Sequence, residues 1–297
     1  MVIARIMGGL GNQLFQYAIG RSISLTHNDI LKLDASYFDE FKAHGGFRLK
    51  NFAIDAPIAS ITEIKRLAPR SRILHRLARK GIFHYKKKSF YIERREEESR
   101  FIPRVFDYKD VYLSGYFCNE NYFADIRSEL LSDLVLQTPL SAAARDFMRV
   151  VKQENSVSVH IRLSDLKSDS HKLSKKVSDA GKRAPTIGVE YYKKAVRSAL
   201  EKIESPTFFI FSNDQAWSKA NLDFIPSNNA VFVDQTQNEL EDFELMRNCK
   251  HNIVANSTFS YWAAWLNNNE NKRVIAPQTW YENWREFDPC PANWDRV

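Results

Sequence analysis

From about residue 156 to residue 276, short apolar β-type runs alternate with helical patterns, and this rhythm narrows the possible folds more than any other feature of the 297-residue chain. Strands are predicted over 157–161, 208–211, 231–233, 252–255 and 274–276. Helices are predicted between them, over 191–203, 215–222, 240–249 and 259–266. Such a β-α-β-α series makes a parallel sheet covered on both faces, whose ligands bind in the crevice beyond the carboxyl ends of the strands. The polar residues gather at those ends. His160 and Arg162 close the first strand; Ser212, Asn213 and Asp214 follow the second; Asp234 ends the third; Asn256, Ser257, Thr258, Phe259 and Ser260 follow the fourth.

The last of these clusters opens an aromatic-rich helix, with Trp262, Trp265 and Leu266 at helical spacing. Taken alone, Ser257, Thr258 and Ser260 fit an ordinary N-cap in front of a core helix. Four polar clusters at equivalent positions favour an anion site instead, because helix N–H groups, hydroxyls and the positive dipole end would converge there. Arg162 is the first choice for a functional residue, since a guanidinium can fork onto a diphosphate and neutralise charge as it develops. Asp165 is a candidate general base, or a partner that orients Arg162. Asp214 could equally cap the following helix, and Asn213 and Asp214 offer donors and acceptors to a purine edge.

The first half opens in the same way, with a strand predicted over 2–7, a glycine turn, a helix over 12–25 and a strand over 30–33 ending at Asp34. A further strand over 111–117 and a helix over 121–131 precede a boundary placed near residue 150. This gives two α/β lobes, 1–150 and 151–297. Gly9 and Gly11, with Asp34 some twenty residues on, resemble half of a dinucleotide fingerprint, but Leu14 occupies the third glycine position. Asn12 and Gln13 instead suit a turn that grips hydroxyls or phosphate oxygens.

A net charge of +7 favours an anionic partner. Much of the excess lies in 65–104, which reads either as a basic amphipathic helix on anionic lipid or as a solvated helix face. No nucleic-acid reading module accompanies it. The three cysteines, Cys118, Cys249 and Cys290, form no paired motif, so neither a disulfide framework nor a cysteine zinc site is indicated. The chain also has no Asp-x-Asp pair, no phosphate loop and no His-Glu-x-x-His, so no metal site is expected. With no long apolar run, the expectation is a soluble cytoplasmic protein, and peripheral contact with the inner membrane face stays open.

Taken in order, Gly8-Gly-Leu-Gly-Asn-Gln-Leu-Phe-Gln-Tyr-Ala18, Val157-Ser-Val-His-Ile-Arg-Leu-Ser-Asp165, Phe211-Ser-Asn-Asp214 and Asn256-Ser-Thr-Phe-Ser-Tyr-Trp-Ala-Ala-Trp-Leu266 resemble the bacterial α-1,2-fucosyltransferases. The resemblance implies a GT-B-like fold of two Rossmann-like lobes with a donor cleft between them. It implies metal-independent, inverting transfer of L-fucose from GDP-β-L-fucose to the 2-hydroxyl of a galactose in a surface polysaccharide, with no cofactor beyond that co-substrate. A galactose-terminated oligosaccharide or a lipid-linked glycan would be the acceptor. By the same resemblance Arg162 binds the diphosphate and His160 contacts the donor. Ser257, Thr258, Phe259 and Ser260 form the phosphate-facing helix start, Asn213 and Asp214 lie on the guanine side, and Asn12 and Gln13 face the sugar.

The chain departs from the family pattern His-x-Arg-Arg-Gly-Asp-Tyr, with Leu163 for the second arginine, Ser164 for the glycine and Leu166 for the tyrosine. Two rival functions remain at this point. One is an NAD(P)-dependent oxidoreductase built on the N-terminal glycine turn; the other is a non-catalytic saccharide- or polyanion-binding protein.

Overall fold

The computed structural model describes residues 1–40, 45–68, 77, 79–80, 88–162, 187–281 and 284–297. Two compact units divide the chain between Thr138 and Pro139. The boundary expected near residue 150 therefore lies inside a helix, α4 below, whose packing assigns it to the second unit.

In the N-terminal unit, β1 (Val2–Arg5), β2 (Leu31–Asp34), β3 (Phe90–Ile92) and β4 (Val111–Ser114) form a parallel sheet in the order β2-β1-β4-β3. The first helix, α1 (Leu10–Thr26), joins β1 to β2. Two short helices, α2 (Ile61–Leu67) and α3 (Arg127–Asp133), belong to the same unit. Ile3, Ala59, Leu67, Phe90 and Tyr112 pack together on one side of the sheet. The helix expected over 121–131 is broken into 3-10 turns Glu120–Tyr122 and Ala124–Ile126 ahead of α3. Its start is tied down elsewhere: the Asn119 side chain accepts the Asn121 N–H at 2.9 Å, and the Tyr122 hydroxyl accepts the Ile102 N–H at 3.0 Å.

The C-terminal unit opens with α4 (Ala142–Gln153), N-capped by Ser141, whose N–H and hydroxyl both bond the buried Glu241 carboxylate. Six strands follow: β5 (Ser156–Ile161), β6 (Thr207–Ser212), β7 (Ala230–Phe232), β8 (His251–Ile253), β9 (Val274–Ala276) and β10 (Asp295–Arg296). They are all parallel, in the order β10-β9-β8-β5-β6-β7. Numbered from β5, this is the 3-2-1-4-5-6 order of the Rossmann sheet, whose switch point lies between β5 and β8. Helices α5 (Val189–Lys202), α6 (Gln215–Asn221), α7 (Glu239–Asn248) and α8 (Thr258–Leu266) lie between the strands.

Apolar runs without alternation make strands buried on both faces. Val157, Val159, Ile161, Phe208 and Ile210 are accordingly all fully buried, packed on Tyr192, Ala195 and Val196 of α5. Asn252 of β8 donates across to Ser158 of β5 at 2.7 Å, fixing the two strands that flank the switch point. The chain is thus α/β, in two units each built on a parallel sheet, as a GT-B-like pair of Rossmann-like lobes requires. Among the described residues no helix is long and apolar enough to cross a membrane.

Candidate active site

The two strands at the switch point deliver their functional residues side by side. β5 pairs with β8 through Val159 and Ile253, so the chain leaving β5 at Arg162 emerges beside the chain leaving β8 toward Ser257. Arg162 donates from Nη1 to Ser257 Oγ at 3.3 Å. Ser257 is the N-cap of α8, yet its hydroxyl makes no capping bond. The first intrahelical bond runs from the Tyr261 N–H to the Ser257 carbonyl at 3.0 Å, so the N–H groups of Phe259 and Ser260 have no acceptor within the helix. A guanidinium, a hydroxyl and the positive end of a helix therefore meet at one edge.

Ser260 is placed differently from a phosphate ligand. It is buried; its hydroxyl accepts the Ala255 N–H at 3.2 Å and donates to the Ser257 carbonyl at 3.3 Å, stitching the turn together. Asn256, also buried, donates to the Trp280 carbonyl at 3.2 Å, and its Oδ1 has no hydrogen-bond partner.

His160 stands one residue before the end of β5, its carbonyl held by the Tyr192 hydroxyl at 3.0 Å and its ring 5.6 Å from that of Phe259. Its Nδ1 is buried without a partner. Burial, reinforced by the Arg162 charge, pushes the imidazole down to about 3, so it is neutral at physiological pH. A neutral ring carries one donor and one acceptor for a ligand. The unfolded chain takes up this proton below about pH 6.5 while the folded chain refuses it, so stability is lost as pH falls. Wild type is expected to lose on the order of 1–2 kcal/mol more than His160→Gln between pH 7 and pH 5. Urea unfolding at the two pH values measures this, and equal losses would show that His160 does not bear the strain of protonation.

Asp214 takes the structural option left open by the sequence. Its carboxylate accepts the Trp217 N–H at 3.0 Å as the N-cap of α6, and its own N–H bonds Ser212 Oγ at 3.1 Å. Asn213 is exposed between them. A different acid lies nearer the His160 ring through the packing of its neighbour. Asp242, in the first turn of α7, accepts the Thr236 hydroxyl at 2.7 Å, and burial, helped by Glu241 and Glu239, pushes it up to about 6. The next residue, Phe243, lies with its ring 5.4 Å from Phe259, which touches His160. The acidic run 239–242 looks like a dipole-friendly helix start, and only its tertiary packing singles out Asp242.

In the N-terminal unit Gly8 adopts φ +79°, where an added Cβ would lie 2.8 Å from Asn12 Nδ2, while Gly9 caps α1 and Gly11 is buried within it. Gln13 is fully buried and its amide is committed to backbone: Nε2 donates to the Gly8 and Gly46 carbonyls and Oε1 accepts the Arg48 N–H, each at 2.9 Å. It braces two loops rather than reaching a sugar. Asp34 is likewise committed, to the Tyr112 hydroxyl at 2.6 Å and the Ser36 N–H at 3.0 Å, which removes the ribose contact of the oxidoreductase reading. Asp165, Leu163, Ser164 and Leu166 lie outside the described residues, as do Arg70, Arg72, Arg76, Lys86 and Lys87 of the basic segment 65–104. No cluster of three metal-ligating side chains occurs among the described residues.

The Rossmann-ordered sheet thus carries an arginine and an uncapped helix start at its switch point, where open α/β sheets bind ligands. The chain belongs to glycosyl transferase family 11, which matches it over residues 1–295. An α-1,2-colitosyltransferase of Escherichia coli is 34% identical over 302 residues, spanning 100% of this chain and 99% of the relative. The O-antigen biosynthesis glycosyltransferase WbnK of Escherichia coli is 28% identical, with 93% of each chain covered. A galactoside α-(1,2)-fucosyltransferase 2 of Hylobates lar is 30% identical over 58% of this chain and 48% of its own length.

Proposed function

We propose that the protein transfers L-fucose from GDP-β-L-fucose to the 2-hydroxyl of a galactose in a surface polysaccharide repeat, with inversion and without a metal. The observation that carries this most directly is the Ser257 hydroxyl, turned toward Arg162 instead of capping its own helix. That arrangement leaves the helix start to an anion. As the acceptor oxygen attacks the anomeric carbon from the face opposite GDP, the bond to the β-phosphate breaks and negative charge gathers on the diphosphate. Arg162 and the N–H groups of Phe259 and Ser260 are preorganised to receive it. His160 and Asp242 supply the base contacts: a part-buried carboxylate accepts the N1–H and amino group of guanine, for which adenine has no equivalent. Asp165 remains the proposed proton acceptor.

A second reading concerns the donor alone. Colitose is the 3-deoxy counterpart of fucose, and the full-length likeness to a colitosyltransferase supports GDP-colitose as the sugar nucleotide. Incubation with each donor, a panel of β-galactosides and EDTA separates the two. We expect GDP release with formation of an α-1,2-linked product, inhibited by GDP at least about 10-fold more strongly than by ADP. Absence of product from both donors, or dependence on a divalent ion, would overturn the proposal.

A further inference from the structure

In the N-terminal unit the carboxyl ends of β1, β4 and β3 are tied together by two buried side chains that the donor site does not use. Gln16, 1% exposed, accepts the Met7 N–H at 2.8 Å and donates to the Gly115 carbonyl at 3.1 Å, joining the turn after β1 to the turn after β4. Glu93, 2% exposed, follows β3. Its two oxygens accept the Tyr116 N–H at 2.6 Å and the Phe117 N–H at 2.9 Å. Phe117 sits at φ +55°, a left-handed conformation that a bulky side chain adopts only when its surroundings impose it. Gly115 leaves no room for a side chain, since a Cβ there would lie 2.4 Å from Glu93 Cβ.

The turn also carries a charged aromatic pair. Arg79 bonds the buried Glu98 carboxylate at 2.8 Å, and its guanidinium stands 5.2 Å from the centre of the Tyr116 ring. Burial pushes Glu93 up to about 8, with Glu98 adding to the shift while the two N–H donors and Arg79 oppose it. Bidentate acceptance from successive amides fixes the turn after β4 at the carboxyl ends of the neighbouring strands β3 and β4, beside the β1–β4 pair that Gln16 bridges. Crevices at such ends bind ligands in open parallel sheets.

The inference rests on the proposed fucosyl transfer, in which the nucleotide occupies the C-terminal unit and a neutral glycan is the second substrate. We infer that Glu93 is a positioning residue for the acceptor: through the backbone of 115–117 it fixes Tyr116 and Arg79 as the surface that a terminal galactoside meets. An aromatic ring suits the C–H face of a sugar, and a guanidinium donates to its hydroxyls.

Glu93→Gln keeps the side-chain volume but turns an amide NH2 toward one of the two backbone donors, loosening the turn. Kinetics with GDP-fucose and p-nitrophenyl β-galactoside should show the acceptor KM raised about 10-fold or more, with the GDP-fucose KM and GDP affinity within roughly twofold of wild type. Gln16→Met, which releases the Gly115 carbonyl from the other side, should shift the same constant in the same direction, and it serves if Glu93→Gln does not fold. An unchanged acceptor KM in the soluble variants overturns the inference, as does a matching loss of GDP affinity, which would make Glu93 a general support of the fold. If wild type transfers nothing to this galactoside, fucosyl transfer to galactose itself fails and the inference falls with it; normal wild-type transfer with unaffected variants removes the inference alone.

Discussion

Arg162→Ala is expected to lower turnover about 100-fold or more, corresponding to about 3–4 kcal/mol in the barrier, because it removes a preorganised charge from the departing diphosphate. The geometry of the guanidinium supports the proposed role. Arg162 ends the central strand of a Rossmann-ordered sheet and reaches 3.3 Å across the switch point to the N-cap serine of α8. Since charge on the diphosphate grows as the glycosidic bond breaks, kcat should fall more than donor binding weakens. Steady-state kinetics together with GDP calorimetry separate those terms. A variant with near wild-type turnover would remove Arg162 from the chemistry, and a loss confined to KM would reduce it to uniform binding.

Trp262→Ala is expected to cost about 3–5 kcal/mol of stability, read by urea unfolding. Helices buried all round belong to the core, and α8 is one, with every residue from Ser260 to Leu266 buried. Trp262 is fully buried, edge-on to Trp265 at 5.3 Å and to Tyr261 at 6.0 Å. Truncation leaves a cavity that neighbours this size cannot fill by rotamer changes alone. A domain's whole stability is typically about 5–15 kcal/mol, so a large share is at stake. The anion site should suffer too, because α8 carries its helix start. A loss below about 1 kcal/mol would mean that the surroundings collapse around the deletion and that α8 is not firmly packed in the core.

Much of the C-terminal unit was legible from residues alone. Parallel strands buried on both faces write themselves as unbroken apolar runs, so 157–161, 208–211 and 274–276 each fall on an observed strand. The location of the site was legible for the same reason, since chain order places Arg162 and Ser257 at strand ends and the parallel sheet brings those ends together. Individual roles were less so. Asp214 and Ser260 have the composition of ligand contacts but are held by local backbone bonds, a choice between capping and binding that residue type does not make. Gln13 reads as a polar helix start, and only the fold of residues 45–48 around it shows why it is buried.

The N-terminal unit resisted for a physical reason. β3 is three residues long and leads into a charged run that composition marks as solvated, yet Glu93 and Glu98 in that run are buried and matched by backbone amides and Arg79. Tertiary pairing of this kind leaves no periodicity to read.

The proposed transfer requires a sugar nucleotide's diphosphate to be received by Arg162 and the start of α8. A crystal structure of the protein with GDP reveals whether it is. Phosphate oxygens are expected within hydrogen-bonding distance of the Arg162 guanidinium and of the Ser257 hydroxyl or the N–H groups of Phe259 and Ser260, with guanine against His160 and Asp242. Phosphates bound at the Gly8–Gly9 turn instead, with Arg162 still bonded only to protein, would contradict it.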